Sequence, residues 1–198
     1  RQATGAVDGF LAACTTGADL FPPLVVMRAQ SDGVLRLLLR EGLTPGRPYH
    51  FVVPLVYAST LLEEIRPTEE RIGLILEVDR AAFQPIINVL VVSSPGADGA
   101  QRFEIRSQDR VVAVSGTNWR SPHFAEIYVY TEPEARGRGW GKSVASACTA
   151  ALLAEGVRPL YVVAEGDEIS SRLAADVGFR DTGKREFIAM GLRADGGR

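Results

Sequence analysis

The sequence predicts an α+β fold, a mixed sheet carrying a few helices. Three observations predict it. Residues 102–107, 111–117 and 124–131 read as three successive strands, with Gln108-Asp109-Arg110 turning between the first two. A helical stretch over 143–155 and a short apolar run over 159–164 follow, the pattern of a helix leading into a buried strand. A second helical stretch then starts at Asp167 and closes at Gly178-Phe179. Two short strands come after it, around 179–182 and 186–192, broken at Gly183-Lys184. A meander of strands that passes into helix–strand alternation gives a sheet with both antiparallel and parallel neighbours.

The upstream elements are less regular. Residues 3–21 read as a helix of small and apolar residues that ends near Gly17 and is broken by Pro22-Pro23. Residues 24–27 and 34–39 suit two short strands around the turn Gln30-Ser31-Asp32-Gly33, although the second run could equally start a helix. Residues 42–48 form a loop, 49–53 a strand stopped by Pro54, and 55–65 an amphipathic helix ended by Pro67. Thr68 followed by Glu69-Glu70 suggests another helix start, with acidic residues in its first turn. Residues 93–99 are the clearest linker or hairpin loop, so the chain divides into a portion 1–92 and a portion 93–198.

Composition excludes several classes. The chain has 198 residues, of which 46% are hydrophobic and 23% charged, as in an ordinary globular protein. A net charge of −2 supplies no field that would draw it to nucleic acid or to an anionic membrane. The longest apolar runs, such as 86–92, are core-sized and too short to span a bilayer. Cys14 and Cys148 have neither metal-ligand nor redox spacing, which favours a reduced, cytoplasmic setting without a metal. Cys148 reads as a small buried apolar residue within a helix.

The most informative stretch is Arg136-Gly137-Arg138-Gly139-Trp140-Gly141-Lys142-Ser143. It joins the strand 126–131 to the helix 143–155. The first amides of a helix have no acceptor inside it, and the macrodipole adds partial positive charge there. Glycines let the backbone approach an anion, and the three cations suit phosphate. Spacing decides among the phosphate loops. A Walker A loop needs glycine where Arg136 stands. The dinucleotide fingerprint needs glycine at Lys142 or at Val144, according to where it begins. What remains is Arg-x-x-Gly-x-Gly, formed by Arg136, Gly139 and Gly141.

That pattern resembles the acetyl-coenzyme A pyrophosphate loop of the GCN5-related N-acetyltransferases (GNAT). Pro133-Glu134-Ala135 precedes it as a Pro-acidic run often does in that family. Ser170, Leu173, Gly178 and Phe179 fall where the family's second motif wants them. The resemblance covers about residues 101–192. It implies a GNAT-like acyl-CoA N-acyltransferase fold with an atypical N-terminal portion, in which residues 1–92 supply the first strand and helices. It also implies transfer of an acetyl group from acetyl-CoA, as co-substrate, to a primary amine of a small molecule or protein. Amides of Gly137, Arg138, Gly139, Trp140, Gly141 and Lys142, with Arg136 or Arg138 assisting, would hold the pyrophosphate, and Ser143 is counted among the cofactor-binding residues. The strand edge at Val129, Tyr130 and Thr131 would hold the pantetheine. The exposed strands of such sheets often pair between subunits, so a homodimer is an arrangement the fold allows.

An ammonium has no lone pair, so a base must take a proton before attack. Glu126 is the first candidate, because Phe124-Ala125-Glu126-Ile127 resembles the run that carries the base in histone-type members. Counted back from the glycine loop it stands one residue out of step, a slip that turns a side chain to the other face unless a bulge absorbs it. Glu165 is a second candidate, and His123 a proton shuttle. The family's usual acid, a tyrosine, would stand at Ala174; Tyr128, Tyr130 or Ser170 could replace it. Trp119 and Trp140 read as packing residues, and His50 has no assigned role. A non-catalytic acyl-CoA-binding module is the alternative to an enzyme.

Overall fold

In the computed structural model, which describes residues 5–15, 22–86, 88–96 and 100–194, the chain order is β1 (Gly9–Cys14), β2 (Leu24–Ala29), α1 (Asp32–Gly42), β3 (Pro48–Pro54), α2 (Ala58–Glu64), β4 (Ile65–Val78), β5 (Val92–Pro95), β6 (Gln101–Ser107), β7 (Arg110–Arg120), β8 (Phe124–Thr131), α3 (Trp140–Ala154), β9 (Arg158–Ala164), α4 (Glu168–Val177) and β10 (Phe179–Arg193). The chain forms two units. One comprises the residues up to Gly73 and those from Arg185 onward, and the other Leu74–Lys184. β4 and β10 each contribute one part to each unit.

In the first unit, β2 and β3 are parallel, with α1 as the crossover, and β1 and β10 pair antiparallel on β2 and β3 respectively. Ser31 caps α1 by accepting a hydrogen bond from the Val34 amide (3.3 Å). Leu35 and Leu39, one turn apart, are fully buried with Val25, Met27 and Phe51. The run 34–39 is therefore helix rather than strand. The 55–65 helix begins as a 3₁₀ turn and ends at Glu64.

Two expectations are corrected in this unit. Residues 9–14 are a strand, not a helix; of the rest of the expected 3–21 helix, 5–8 and 15 are not helical and the remainder lies outside the described residues. Pairing along β2 from Gly9↔Ala29 to Cys14↔Leu24 overrides a weak propensity, and a Cβ at Gly9 would stand 2.6 Å from the Arg28 carbonyl. Thr68 does not start a helix but lies within β4, where its hydroxyl donates to the Met190 carbonyl (3.2 Å). The exposed polar run that suggested a helix start is held by strand pairing.

In the second unit, β5, β6, β7 and β8 form an antiparallel meander, and β9 adds to β8 in parallel after the α3 crossover. The strand order is β10-β4-β9-β8-β7-β6-β5. The core lies between the sheet and α3 and α4, and includes Ala125, Ile127, Ala145, Cys148, Leu152, Val163, Ala174 and Phe179. Residues 83–86 and 88–91 form neither helix nor strand; Ile86 packs on this core, and Val89 and Val91 on the cluster of Ile105, Ala113 and Val144. The two short strands expected after α4 are a single strand, β10. The chain passes its break point with Gly183 at φ +74°, while Thr182 donates to the Ile75 carbonyl (2.6 Å).

α4 is bounded by two strong signals. Asp167 accepts from the Ser170 amide (2.9 Å) at its start, and Gly178 closes it at φ +102°. An L-residue at that φ is strained, so Gly178→Ala is expected to cost about 1–2 kcal/mol. The midpoint of urea unfolding would read it; an unchanged midpoint would show that the helix end relaxes at no cost.

Candidate active site

The pairing of β8 with β9 covers only Phe124–Ile127 against Arg158–Tyr161. Beyond Ile127 and Tyr161 the two parallel strands part. Tyr128, Val129, Tyr130 and Thr131 stay paired to β7, which leaves their other edge facing a notch. β8 then runs through a 3₁₀ turn (Pro133–Ala135) into the glycine segment and α3.

The glycines differ in what they do. Gly137 and Gly139 have φ +77° and +76°, and Gly139 is the N-cap of α3. The first helical bond runs from the Ser143 amide to the Gly139 carbonyl (3.2 Å), so the amides of Trp140, Gly141 and Lys142 have no acceptor within the helix. Gly141 is buried. A Cβ there would lie 3.0 Å from both Thr131 Oγ1 and Leu173 Cδ1, so this glycine lets the helix start approach the end of β8 and α4.

The cations around the turn all have partners within the chain. Arg136 Nε donates to the Thr131 carbonyl (3.2 Å), Arg138 stacks on the Trp140 ring (5.0 Å), and Lys142 is ion-paired with Asp176. Ser143 is buried and points inward; its hydroxyl donates to Asn88 Oδ1 (2.5 Å). An anion over this turn thus meets backbone amides first.

Glu126, Tyr128 and Tyr130 lie on the sheet face opposite Ala125, Ile127 and Val129, which pack toward the helices. Glu126 is partly buried. Its Oε1 accepts from Asn118 Nδ2 and its Oε2 from Trp119 Nε1, each at 2.7 Å. Asn118 can do so because β7 bulges between Thr117 and Trp119, so that it and Trp119 lie opposite Glu126. The Tyr128 ring lies across Gly116, whose added Cβ would be 2.9 Å from the hydroxyl. Tyr130 is half exposed and donates to Glu132 (3.2 Å), which raises its pKa.

Ser170, on α4, is on the helix side of the sheet, in hydrogen-bonding contact with Tyr161 and Asp167. Burial raises the Tyr161 phenol, and the hydrogen bonds from Ser170 lower the Asp167 carboxyl. The structure does not bring the remaining candidates together with these. His123 is exposed before β8, Glu165 is exposed in the turn after β9, and His50 lies in the first unit, its pKa lowered by burial and by Arg71. Trp140 packs as expected. Trp119 is 44% exposed and spends its N–H on Glu126, so it is not the packing residue expected. Sequence reasoning also missed Asn88, Asn118 and Tyr161. Asn118, a strand-averse residue inside a strand run, was the one available signal.

Residues 105–188 match the family model described as FR47-like protein. No curated protein sequence matches the chain. Among solved structures, a GCN5-related N-acetyltransferase from Kribbella flavida is similar at TM-score 0.69 and 16% identity, over 96% of this chain and 89% of that one. A GNAT-family protein from Novosphingobium aromaticivorans is similar at TM-score 0.65 and 19% identity, over 86% and 84%. A GCN5-related N-acetyltransferase-like protein from Streptococcus suis is similar at 0.59 and 15%, over 95% and 86%. What the chain shares with these solved structures is the fold. Its fold is the GNAT α+β fold with a mixed sheet. Among the described residues no helix is long and apolar enough to cross a membrane, and no group of side chains is placed to hold a metal ion.

Burial pushes the Cys148 thiol up to about 11, and the residue is 1% exposed, whereas Cys14 is exposed. A disulfide reagent at pH 8 is therefore expected to titrate Cys14 in the folded protein and Cys148 only after denaturant is added. Prompt reaction of two thiols in the native state would contradict this burial.

Proposed function

We propose that this chain is an acetyl-CoA-dependent N-acyltransferase that acts on a primary amine by direct attack in a ternary complex. The observation that carries the reading is the parting of β8 from β9 directly upstream of a glycine turn that opens a helix. A diphosphate suits the free amides of Trp140, Gly141 and Lys142, and the positive-φ turn at Gly137 and Gly139 leaves room for it. The edge of Val129, Tyr130 and Thr131 that β9 leaves uncovered offers backbone groups to a pantetheine amide, as an added strand would, apart from the Thr131 carbonyl that Arg136 holds. Arg136, which fixes the Thr131 carbonyl, and Lys142, paired with Asp176, support the turn.

Glu126 serves as the base in this reading. It stands one residue before the strands part, on the face where an acceptor can approach. Its two donors hold the carboxylate in one orientation, which general-base catalysis requires. Ser170 is the better of the candidate proton donors to the departing thiolate. It lies on the α4 side and is joined to the Tyr161 phenol, whereas Tyr128 borders the acceptor face. The division into an atypical portion 1–92 and an acetyl-CoA-binding core 93–198, a homodimer and a cytoplasmic setting belong to the same proposal.

Thermal unfolding with acetyl-CoA, CoA, ATP and NADH in turn tests the cofactor. At 100 times Kd a ligand of the folded state adds about 2.7 kcal/mol, so a rise of several degrees is expected with the CoA species alone. No rise with CoA would remove the reading. Release of free thiol with an amine present separates an enzyme from a binding module. Glu126→Gln is expected to slow turnover at least about 100-fold while the CoA-induced shift is unchanged; full turnover in the variant would take Glu126 out of the mechanism.

A further inference from the structure

We propose that Glu126, Asn118 and Trp119 form a seat for the acceptor's ammonium, and that the acceptor is an amine with no carboxylate on the carbon beside its nitrogen. The proposal rests on the acyl-transfer reading and names the substrate class for the same site.

The first observation is the bulge in β7. Two residues of β7 stand opposite one residue of β8, and both their side chains converge on one carboxylate. A regular ladder would place only one there. Bulges of this kind re-aim side chains beside active sites.

The second observation is the charge. Both donors to Glu126 are neutral, so its negative charge has no counter-ion. Arg120 of β7 is committed to Glu155 (2.5 Å), Arg158 of β9 to Glu77, and Arg102 and Arg106 of β6 both to Glu104. Among the described residues no cation lies within ion-pairing distance of Glu126. A partly buried charge is costly to leave unpaired. Each carboxylate oxygen has two lone pairs and uses one here, so the pair of oxygens can still take two of the three N–H donors of an ammonium.

The third observation is the wall. Trp119 holds Glu126 by its edge while almost half of its surface is exposed, and Tyr128 lies on the same sheet face. Aromatic faces beside a carboxylate attract organic cations, with indole the strongest. The same arrangement disfavours a free α-amino acid. Its carboxylate would come close to that of Glu126, and the nearby arginines already have partners.

The test uses the full chain carrying Trp140→Phe, so that Trp119 is the only indole. Its fluorescence is titrated with n-butylamine, glycine and 1-butanol, with and without 0.5 M salt. Saturable quenching by butylamine is expected, weakened by salt and at least about tenfold tighter than with glycine or butanol. Glu126→Gln should abolish it, and Asn118→Ala should weaken it about five- to tenfold without changing the unfolding midpoint in the absence of ligand. Equal responses to butylamine and butanol, to butylamine and glycine, or in Glu126→Gln and its parent, would overturn the seat. CoA-induced stabilisation of the same proteins reads the transferase proposal separately: its loss with an intact butylamine response sinks acyl transfer alone, and the reverse sinks the seat alone.

Discussion

The second unit is organised around one break in hydrogen bonding. β8 and β9 start as a paired parallel ladder and lose that pairing after Ile127 and Tyr161. A freed strand edge inside a sheet is costly unless something else meets its polar groups. The structure keeps the loss one-sided, because β7 holds β8 through Thr131. The helices then close on the gap. Gly141 brings the start of α3 against Thr131, Leu173 of α4 meets the same point, and Tyr161 reaches Ser170 at the start of α4. The freed amides of α3 and the freed edge of β8 are thereby gathered beside one opening.

Much of that arrangement was legible in the sequence, since it depends on local signals. Gly178 is a helix boundary read from residue type, and Asp167 is a cap three residues before the amide it binds, whereas α3 starts at Trp140, three residues earlier than expected. The meander and the β9 run carried their patterns in short, bounded segments. What failed in the sequence was set by partners far along the chain. Residues 9–14 have a weak local preference, and β2 decides their state. The run after Pro67 is exposed and polar, which reads as a helix start, yet it is held by β10. Gly183 looked like a break because a glycine at positive φ often ends a strand; here the strand continues past it on β4.

The same distinction separates the readable from the unreadable parts of the site. The turn that offers amides is contiguous, so spacing alone could tell it from other phosphate loops. What the sequence did not show is where its cations go: Arg136, Arg138 and Lys142 each find a carbonyl, ring or carboxylate within the chain. The Ser143 amide closes the first turn of α3 on the Gly139 carbonyl, and its side chain points inward, facing Asn88. A bulge has no sequence signature strong enough to predict, so the convergence of Asn118 and Trp119 on Glu126 could not be read.

In the proposed reading, that convergence bears on how a single carboxylate could both bind and react. A base that takes a proton from an ammonium must first hold that ammonium, and a carboxylate already neutralised by an arginine would do neither well. Neutral donors solve the problem from the other direction. They fix the orientation of Glu126 while leaving its full charge for the ligand. They also leave the second lone pair of each oxygen open. An arginine at either position would have stabilised the empty site more, and a substrate would then have had to displace it. The cost of the neutral arrangement is an unpaired charge on an otherwise apolar strand. The chain limits that cost by leaving Glu126 only partly buried.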